Sequence, residues 1–260
     1  MSQYDTVTIE RQGAVAIVSM NRPNALNAFD CALRRELGLA VEEVNDDEAI
    51  RVAILTGAGR AFCAGADLAE ETPANSGVID VLNNEYKPVL MSINNAPKPW
   101  ISAVNGAAAG IGSAFAMSCD LTVMAEDAYI YQAFSAIGLI PDGGATWHLG
   151  HTLGRKRAYE LIVSGEKVTA EKCLQLGLCN RIASSENLLS DTVAWAQELA
   201  TKAPLSLRYA KQALNDAMTD TVQDTISNEA LLQHICISSE DAREGVKAFM
   251  QKRAPEWKGR

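Results

Sequence analysis

The chain has 260 residues, of which 48% are hydrophobic and 21% charged. That is enough apolar content to bury one large core, with or without a helical appendage. The net charge of −9 argues against nucleic acid or an anionic membrane as the main partner, because an acidic surface repels both. The opening Met1-Ser2-Gln3-Tyr4-Asp5 has neither a basic nor an apolar leader region, so no secretory signal is expected and a cytoplasmic setting is. Six cysteines (Cys31, Cys63, Cys119, Cys173, Cys179 and Cys236) form no C-x-x-C pair. A chain of this size needs no disulfide staples, and buried free thiols are expected.

Thr6–Glu10 and Val15–Met20 read as two strands turning around Gly13. Asn21-Arg22-Pro23 then breaks the chain. Asn27, with Asp30 three positions on, predicts a capped helix start. Phe29, Leu33, Leu37, Ala40, Val41 and Val44 follow at helical spacing. Val52–Leu55, Trp100–Val104, Leu121–Ala125 and Tyr129–Tyr131 are short apolar runs of the kind that form strands buried on both faces. The uncharged stretch from Trp100 to Cys119 is long enough to span a bilayer. It is mostly Ala, Gly and Ser and includes Asn105, and therefore reads as a buried strand followed by a buried helix. Strand signals end near Arg181. Helices are expected over Asn187–Ala203, from Pro204, from about Thr221, and from Ser238 with Asp241 completing its cap. The pattern is α/β with a largely parallel sheet, followed by an all-helical C-terminal part.

Two segments carry candidate chemistry. Ala61-Phe62-Cys63-Ala64-Gly65-Ala66-Asp67-Leu68 follows the strand at Val52–Leu55, and its small side chains let a ligand approach the backbone and the Ala66 N–H. Asn105-Gly106-Ala107-Ala108-Ala109-Gly110-Ile111-Gly112 follows the next strand and enters a helical run, presenting free N–H groups and the positive end of the helix dipole. Either segment alone is equally well explained by close packing. Together they offer two backbone donors for one oxygen, the layout of an oxyanion hole. Neither is a dinucleotide fingerprint, since Phe115 and Phe62 stand where third glycines belong. No G-x-S-x-G elbow occurs, and His148, His151 and His234 make no metal spacing. His148 and His151 read as helix-surface residues, Glu70 and Glu71 as solvated or ion-paired, and Tyr131 and Phe134 as pocket wall or core. Asp142 lies in Pro141-Asp142-Gly143-Gly144, where a turn or helix cap is the ordinary reading.

These segments, in order and spacing, resemble the crotonase (enoyl-CoA hydratase/isomerase) superfamily. The matching residues are Asn21-Arg22-Pro23 through Asn27-Ala28, Phe62 to Leu68, Val104-Asn105-Gly106 to Gly112, Cys119-Asp120, Ile137 to Gly144, and Phe249 to Arg253. The resemblance implies a crotonase-like ββα spiral core over residues 1–186. It gives residues 187–260 to a helical region serving oligomerisation, as a trimer or hexamer, and part of the coenzyme A site. It assigns the oxyanion donors to Ala66 and Ile111. The path of the CoA moiety falls to Ala25, Leu26, Ala64, Gly65, Asp67 and Leu68, with Gly110 and Phe134 beside it. Phe249 and Lys252 match positions that approach CoA, often from a neighbouring subunit. No separate cofactor and no metal are implied, because coenzyme A is part of the substrate.

The same resemblance bears on the reaction. Hydratases of the family handle water with two glutamates, and at those positions this chain has Ala114 and Phe134. Neither side chain moves a proton. Asp142 stands where isomerase branches carry their acid; a dehalogenase branch uses an Asp there as nucleophile. With Trp147 and Glu244–Phe249, the pattern is nearest the ring-epoxide isomerase branch of phenylacetyl-CoA breakdown. The expectation is an acyl-CoA isomerase of phenylacetate or fatty acid metabolism with Asp142, Ala66 and Ile111 at its centre. A hydratase and a non-catalytic CoA-binding member are the alternatives.

Overall fold

The computed structural model describes residues 4–70 and 77–260. The chain opens with the antiparallel pair β1 (Val7–Gln12) and β2 (Val15–Met20), turning at Gly13. Helix α1 (Cys31–Asp46) buries Leu33, Leu37, Ala40, Val41 and Val44 completely, as their spacing predicts. Its cap differs from expectation. Asp30 caps it, its carboxylate accepting from Leu33 N at 2.8 Å, and Asn27 is drawn off to brace two loops described below.

Next come β3 (Val52–Gly57), β4 (Ala61–Cys63), α2 (Val78–Val81), a π-helical turn over Leu82–Tyr86, and α3 (Lys87–Asn94), which continues it. Then follow β5 (Trp100–Val104), β6 (Ala107–Ala109), α4 (Ile111–Ser118), β7 (Leu121–Ala125), β8 (Tyr129–Tyr131) and a 3-10 turn over Ala133–Ile137. The body ends with α5 (Ala145–Ser164), kinked at Gly154, then β9 (Lys167–Thr169), α6 (Ala170–Leu176) and β10 (Arg181–Ala183).

The strands form a six-stranded sheet ordered β1-β2-β3-β5-β7-β10, parallel beyond the first pair, and a four-stranded sheet ordered β4-β6-β8-β9. Each of β3, β5 and β7 hands the chain within a few residues to a short strand of the second sheet. The repeat is strand, strand, helix: the ββα spiral. Continuous apolar strands such as Val52-Ala53-Ile54-Leu55 are fully buried because the sheet is covered on both faces. The uncharged run from Trp100 becomes β5, β6 and α4. Among the described residues no helix is long and apolar enough to cross a membrane. The three-residue strands β4, β6, β9 and β10 are too short to give a periodic signal in sequence.

Four helices close the chain: α7 (Leu188–Ala200), α8 (Pro204–Ala217), α9 (Val222–Ser238) and α10 (Glu240–Gln251). Helix α7 lies on the large sheet and buries Leu188, Thr192, Val193 and Ala196. Helix α8 starts at Pro204 as expected. It inserts Lys211, whose Nζ donates to Ile93 O at 2.7 Å and meets Asp120 Oδ2 at 2.8 Å, while Asp120 also accepts from Trp100 N. Thr221 caps α9, accepting from Asp224 N. The cap of α10 is Ser239 rather than Ser238, and Asp241 turns instead to the backbone N–H groups of Lys258 and Gly259. All six cysteines are free; Cys31 is exposed and Cys236 half-buried, so only four match the expectation of burial.

Candidate active site

Two loops at the strand ends build the site. The first, residues 25–29 with 64–67, is a backbone ladder: Ala64 N donates to Leu26 O, Phe29 N to Gly65 O, and Asp67 N to Phe29 O. This places Ala25 and Leu26 beside Ala64, Gly65 and Asp67. Leu26 and Asn27 both take left-handed backbone conformations, with φ of 52° and 56°, strain that Asn27 offsets by bonding. Its fully buried amide donates to Ala58 O at 2.9 Å and Ala61 O at 2.8 Å and accepts from Arg22 N at 2.9 Å. Arg22 reaches Asp30 at 3.0 Å and Asp67 at 3.1 Å and donates to Ala28 O. Asp67 is thus held in an ion pair, and the exposed Leu68 follows it. Asn105 fastens the second loop to the turn between β3 and β4 through Gly57 O and Gly59 O, each at 2.8 Å.

The two loops meet at glycines. A Cβ on Gly65, where φ is 105°, would come within 3.1 Å of Ala109 O. One on Gly110, where φ is 52°, would lie 3.8 Å from Gly65 Cα and 3.8 Å from the ring tip of Phe134. This close approach brings together the glycines that precede Ala66 and Ile111, the first residue of α4. The N–H of neither Ala66 nor Ile111 has an acceptor among the described residues. Gly110 is itself pinned, donating to Tyr131 O at 3.0 Å while its carbonyl accepts from Ser113 Oγ at 2.7 Å. Two free donors, one of them at a helix N-terminus, favour developing negative charge.

Asp142 arrives from the other side. A Cβ on its neighbour Gly143, where φ is 60°, would be 2.6 Å from Ile111 Cδ1 and 2.9 Å from Ala114 Cβ, so only glycine lets this loop lie on α4. The cap position of α5 is Gly144, without a side-chain bond. The carboxylate of Asp142 therefore does not cap the helix, although its carbonyl does accept the turn bond from Ala145 N. Asp142 Oδ1 is buried with no hydrogen-bond partner. Burial pushes its pKa up to about 6, partly opposed by its own backbone N–H.

Phe134 is buried and its ring forms a wall by Gly110; Ala114 is fully buried under Gly143. Glu70 is ion-paired, as expected, to Arg34 at 2.8 Å; Glu71 lies outside the described residues. His148 is not a plain surface residue: its ring meets Ser118 Oγ at 3.2 Å, and burial pushes its pKa down to about 4. Phe249 and Lys252 end α10, Phe249 being 83% exposed, and no hydrogen bond, ion pair or ring contact joins them to the other site residues. Sequence reasoning did not single out Asn27 as a loop brace, nor Arg22 or Tyr86. Arg22 shows only as part of the Asn21–Ala28 signature, Asn27 there and as the expected helix cap, and Tyr86 gives no signal in sequence.

A ββα spiral whose strand-end loops meet at glycines, each followed by an unpaired N–H group, is the crotonase fold. The chain belongs to the enoyl-CoA hydratase/isomerase family, whose profile matches residues 10–260. It is 37% identical over 250 residues to the 1,2-epoxyphenylacetyl-CoA isomerase of Escherichia coli (strain K12), covering 95% of each chain. A probable enoyl-CoA hydratase of Rhodobacter capsulatus is 35% identical over 257 residues, 99% of each chain. The crystal structure of an enoyl-CoA hydratase subunit I from Geobacillus kaustophilus HTA426 matches over 100% of both chains, with a TM-score of 0.92 and 35% identity. The relatives thus include both an isomerase and hydratases.

Proposed function

We propose that this protein is an acyl-CoA isomerase that moves a double bond, or rearranges a ring epoxide, through a thioester enolate. The observation that carries this reading is Asp142: a carboxylate with a buried, unpartnered oxygen and a pKa of about 6, beside α4. The two positions where hydratases keep glutamates hold Ala114 and Phe134. The substrate carbonyl oxygen lies between the N–H groups of Ala66 and Ile111. Asp142 removes a proton from the α or γ carbon; the C–H electron pair moves into the conjugated system, and the negative charge on oxygen is held by the two donors. The same carboxyl then returns the proton at another carbon. One group serves both steps because no water is added, and a pKa near neutrality suits base and acid alike. Ala25, Leu26, Ala64, Gly65, Asp67 and Leu68 line the path of the CoA moiety, which belongs to the substrate and is no separate cofactor. Phe249 and Lys252 meet it from a neighbouring subunit of a trimer or hexamer.

The second reading is a hydratase, favoured by relatives of that name such as the one from Rhodobacter capsulatus. A panel of straight-chain enoyl-, dienoyl- and aryl-epoxide CoA thioesters separates the two. Double-bond migration or epoxide rearrangement that vanishes in Asp142→Asn supports the isomerase. Efficient hydration with no isomerisation gives the answer to the hydratase despite Ala114 and Phe134.

A further inference from the structure

A second buried polar atom without a partner lies near Asp142: the hydroxyl of Tyr86. Tyr86 is the last residue of the π-helical turn Leu82–Tyr86 between α2 and α3, and such turns recur at functional sites. Only 4% of the residue is exposed. Its ring is clamped edge-on by Phe29 at 5.4 Å and by Phe115 at 6.3 Å. The guanidinium of Arg34 lies over the ring, 5.6 Å from its centre. That guanidinium is committed to Glu85, Glu70 and Phe29 O and has no lone pair to offer, so the phenolic proton keeps no acceptor. A buried hydroxyl left so is costly and calls for an explanation.

The placement supplies one. Phe115, which Tyr86 touches, stands four residues after Ile111 on α4; Ala114 and Ile111 are the residues under Gly143. These positions share one helix face. Tyr86 and Asp142 therefore reach the same face, immediately below the oxyanion donors. The phenol feels the charge of Asp142, yet no hydrogen bond joins the two, and each keeps an unpartnered oxygen. We propose that the Tyr86 hydroxyl is a substrate-binding donor that selects acyl chains bearing an oxygen atom beyond the thioester carbonyl: a hydroxyl, ether or epoxide oxygen. This deepens the isomerase reading and rests on it, since that reading puts the reacting carbons at Asp142 beside α4. Burial pushes the phenol's pKa up against the opposing charge of Arg34, so it keeps its proton and can donate it to a hydrogen bond at working pH.

The test is binding by calorimetry, independent of turnover. Hexanoyl-CoA and its 3-, 4- and 5-hydroxy forms are compared on wild type and Tyr86→Phe, which keeps the ring and its packing. Wild type should bind at least one hydroxylated ligand about tenfold tighter than the plain chain, the value of one net hydrogen bond. Tyr86→Phe should lose that preference while its affinity for hexanoyl-CoA stays within about twofold. Equal binding of all four ligands by wild type overturns the proposal, and so does a preference that survives in Tyr86→Phe. If Asp142→Asn isomerises at the wild-type rate while the Tyr86-dependent preference holds, the proton-transfer reading falls and the selectivity stands.

Discussion

Replacing Asp142 by Asn makes stability and activity move in opposite directions. The fold raises the carboxyl from 3.8 to about 6, so the native state favours the protonated form. A raised acid adds stability that is whole below pH 3.8 and is lost as pH rises through 6. Above that, wild type carries a partly desolvated carboxylate costing at most about 3 kcal/mol relative to the neutral acid, a ceiling that solvent screening lowers. Asn has the same shape and does not titrate. The stability of Asp142→Asn relative to wild type should therefore grow by about 1–2 kcal/mol between pH 4.5 and pH 8, about two thirds of the whole change, with the rest gained below pH 4.5. Taking the difference across pH cancels any fixed cost of burying the amide. Urea unfolding at fixed protein concentration, repeated at each pH, reads it directly. In parallel, wild-type kcat/KM should rise about tenfold per pH unit up to about 6 and then level, because the base must be ionised. The variant should lose about two to four orders of magnitude in rate. A stability difference that stays flat from pH 4.5 to 8 refutes the desolvation argument, and a wild-type rate in the folded variant refutes the proton-transfer role.

Other outcomes follow from the same geometry. Ala66→Pro deletes one oxyanion donor and should cost about two to three orders of magnitude in kcat; near-normal turnover in a variant with native circular dichroism removes Ala66 from the mechanism. Asn27→Ala leaves Ala58 O and Arg22 N without their partner, and Ala61 O with only the longer bond from Asn105; it should destabilise by about 2–4 kcal/mol, checked by the urea midpoint, and a change below about 0.5 kcal/mol would show that the brace does not hold the loops. The exposed apolar residues Val222, Ile226, Leu231, Ile237, Phe249 and Met250 of α9 and α10 should be covered in a closed oligomer. Light scattering that finds only the 27.9 kDa chain would contradict a trimer or hexamer.

The body of the fold was legible because its long strands are unbroken apolar runs and α1 carries a clean helical stripe. Of the second sheet only Tyr129–Tyr131 was, since Ala61–Cys63, Ala107–Ala109 and Lys167–Thr169 hold too few residues to show a period. Asn27 illustrates a different limit. Its residue type and its spacing to Asp30 fit a cap, yet two carbonyls more than thirty positions away claim the side chain. Long-range partners overrode a local preference. At the site, the donor loops could be read from small residues after strands, and Asp142 from its place in a family pattern. What sequence could not supply was the environment: that Gly143 seats the loop on α4, that the cap falls to Gly144, and that Tyr86 ends with a free hydroxyl beside it all.

Lys211 carries a consequence for how the molecule comes apart. Its ammonium group enters the body from α8 and meets a backbone carbonyl at the end of α3 and the carboxylate that also receives the first N–H of β5. β5 is the strand that leads into the second donor loop. A chain cut anywhere before Lys211 would leave Asp120 short of its cation and a carbonyl bare at the root of that strand. The last quarter of the chain is thus a plug, and pulling it should loosen the donor loops from below. Helix and body should melt in one transition.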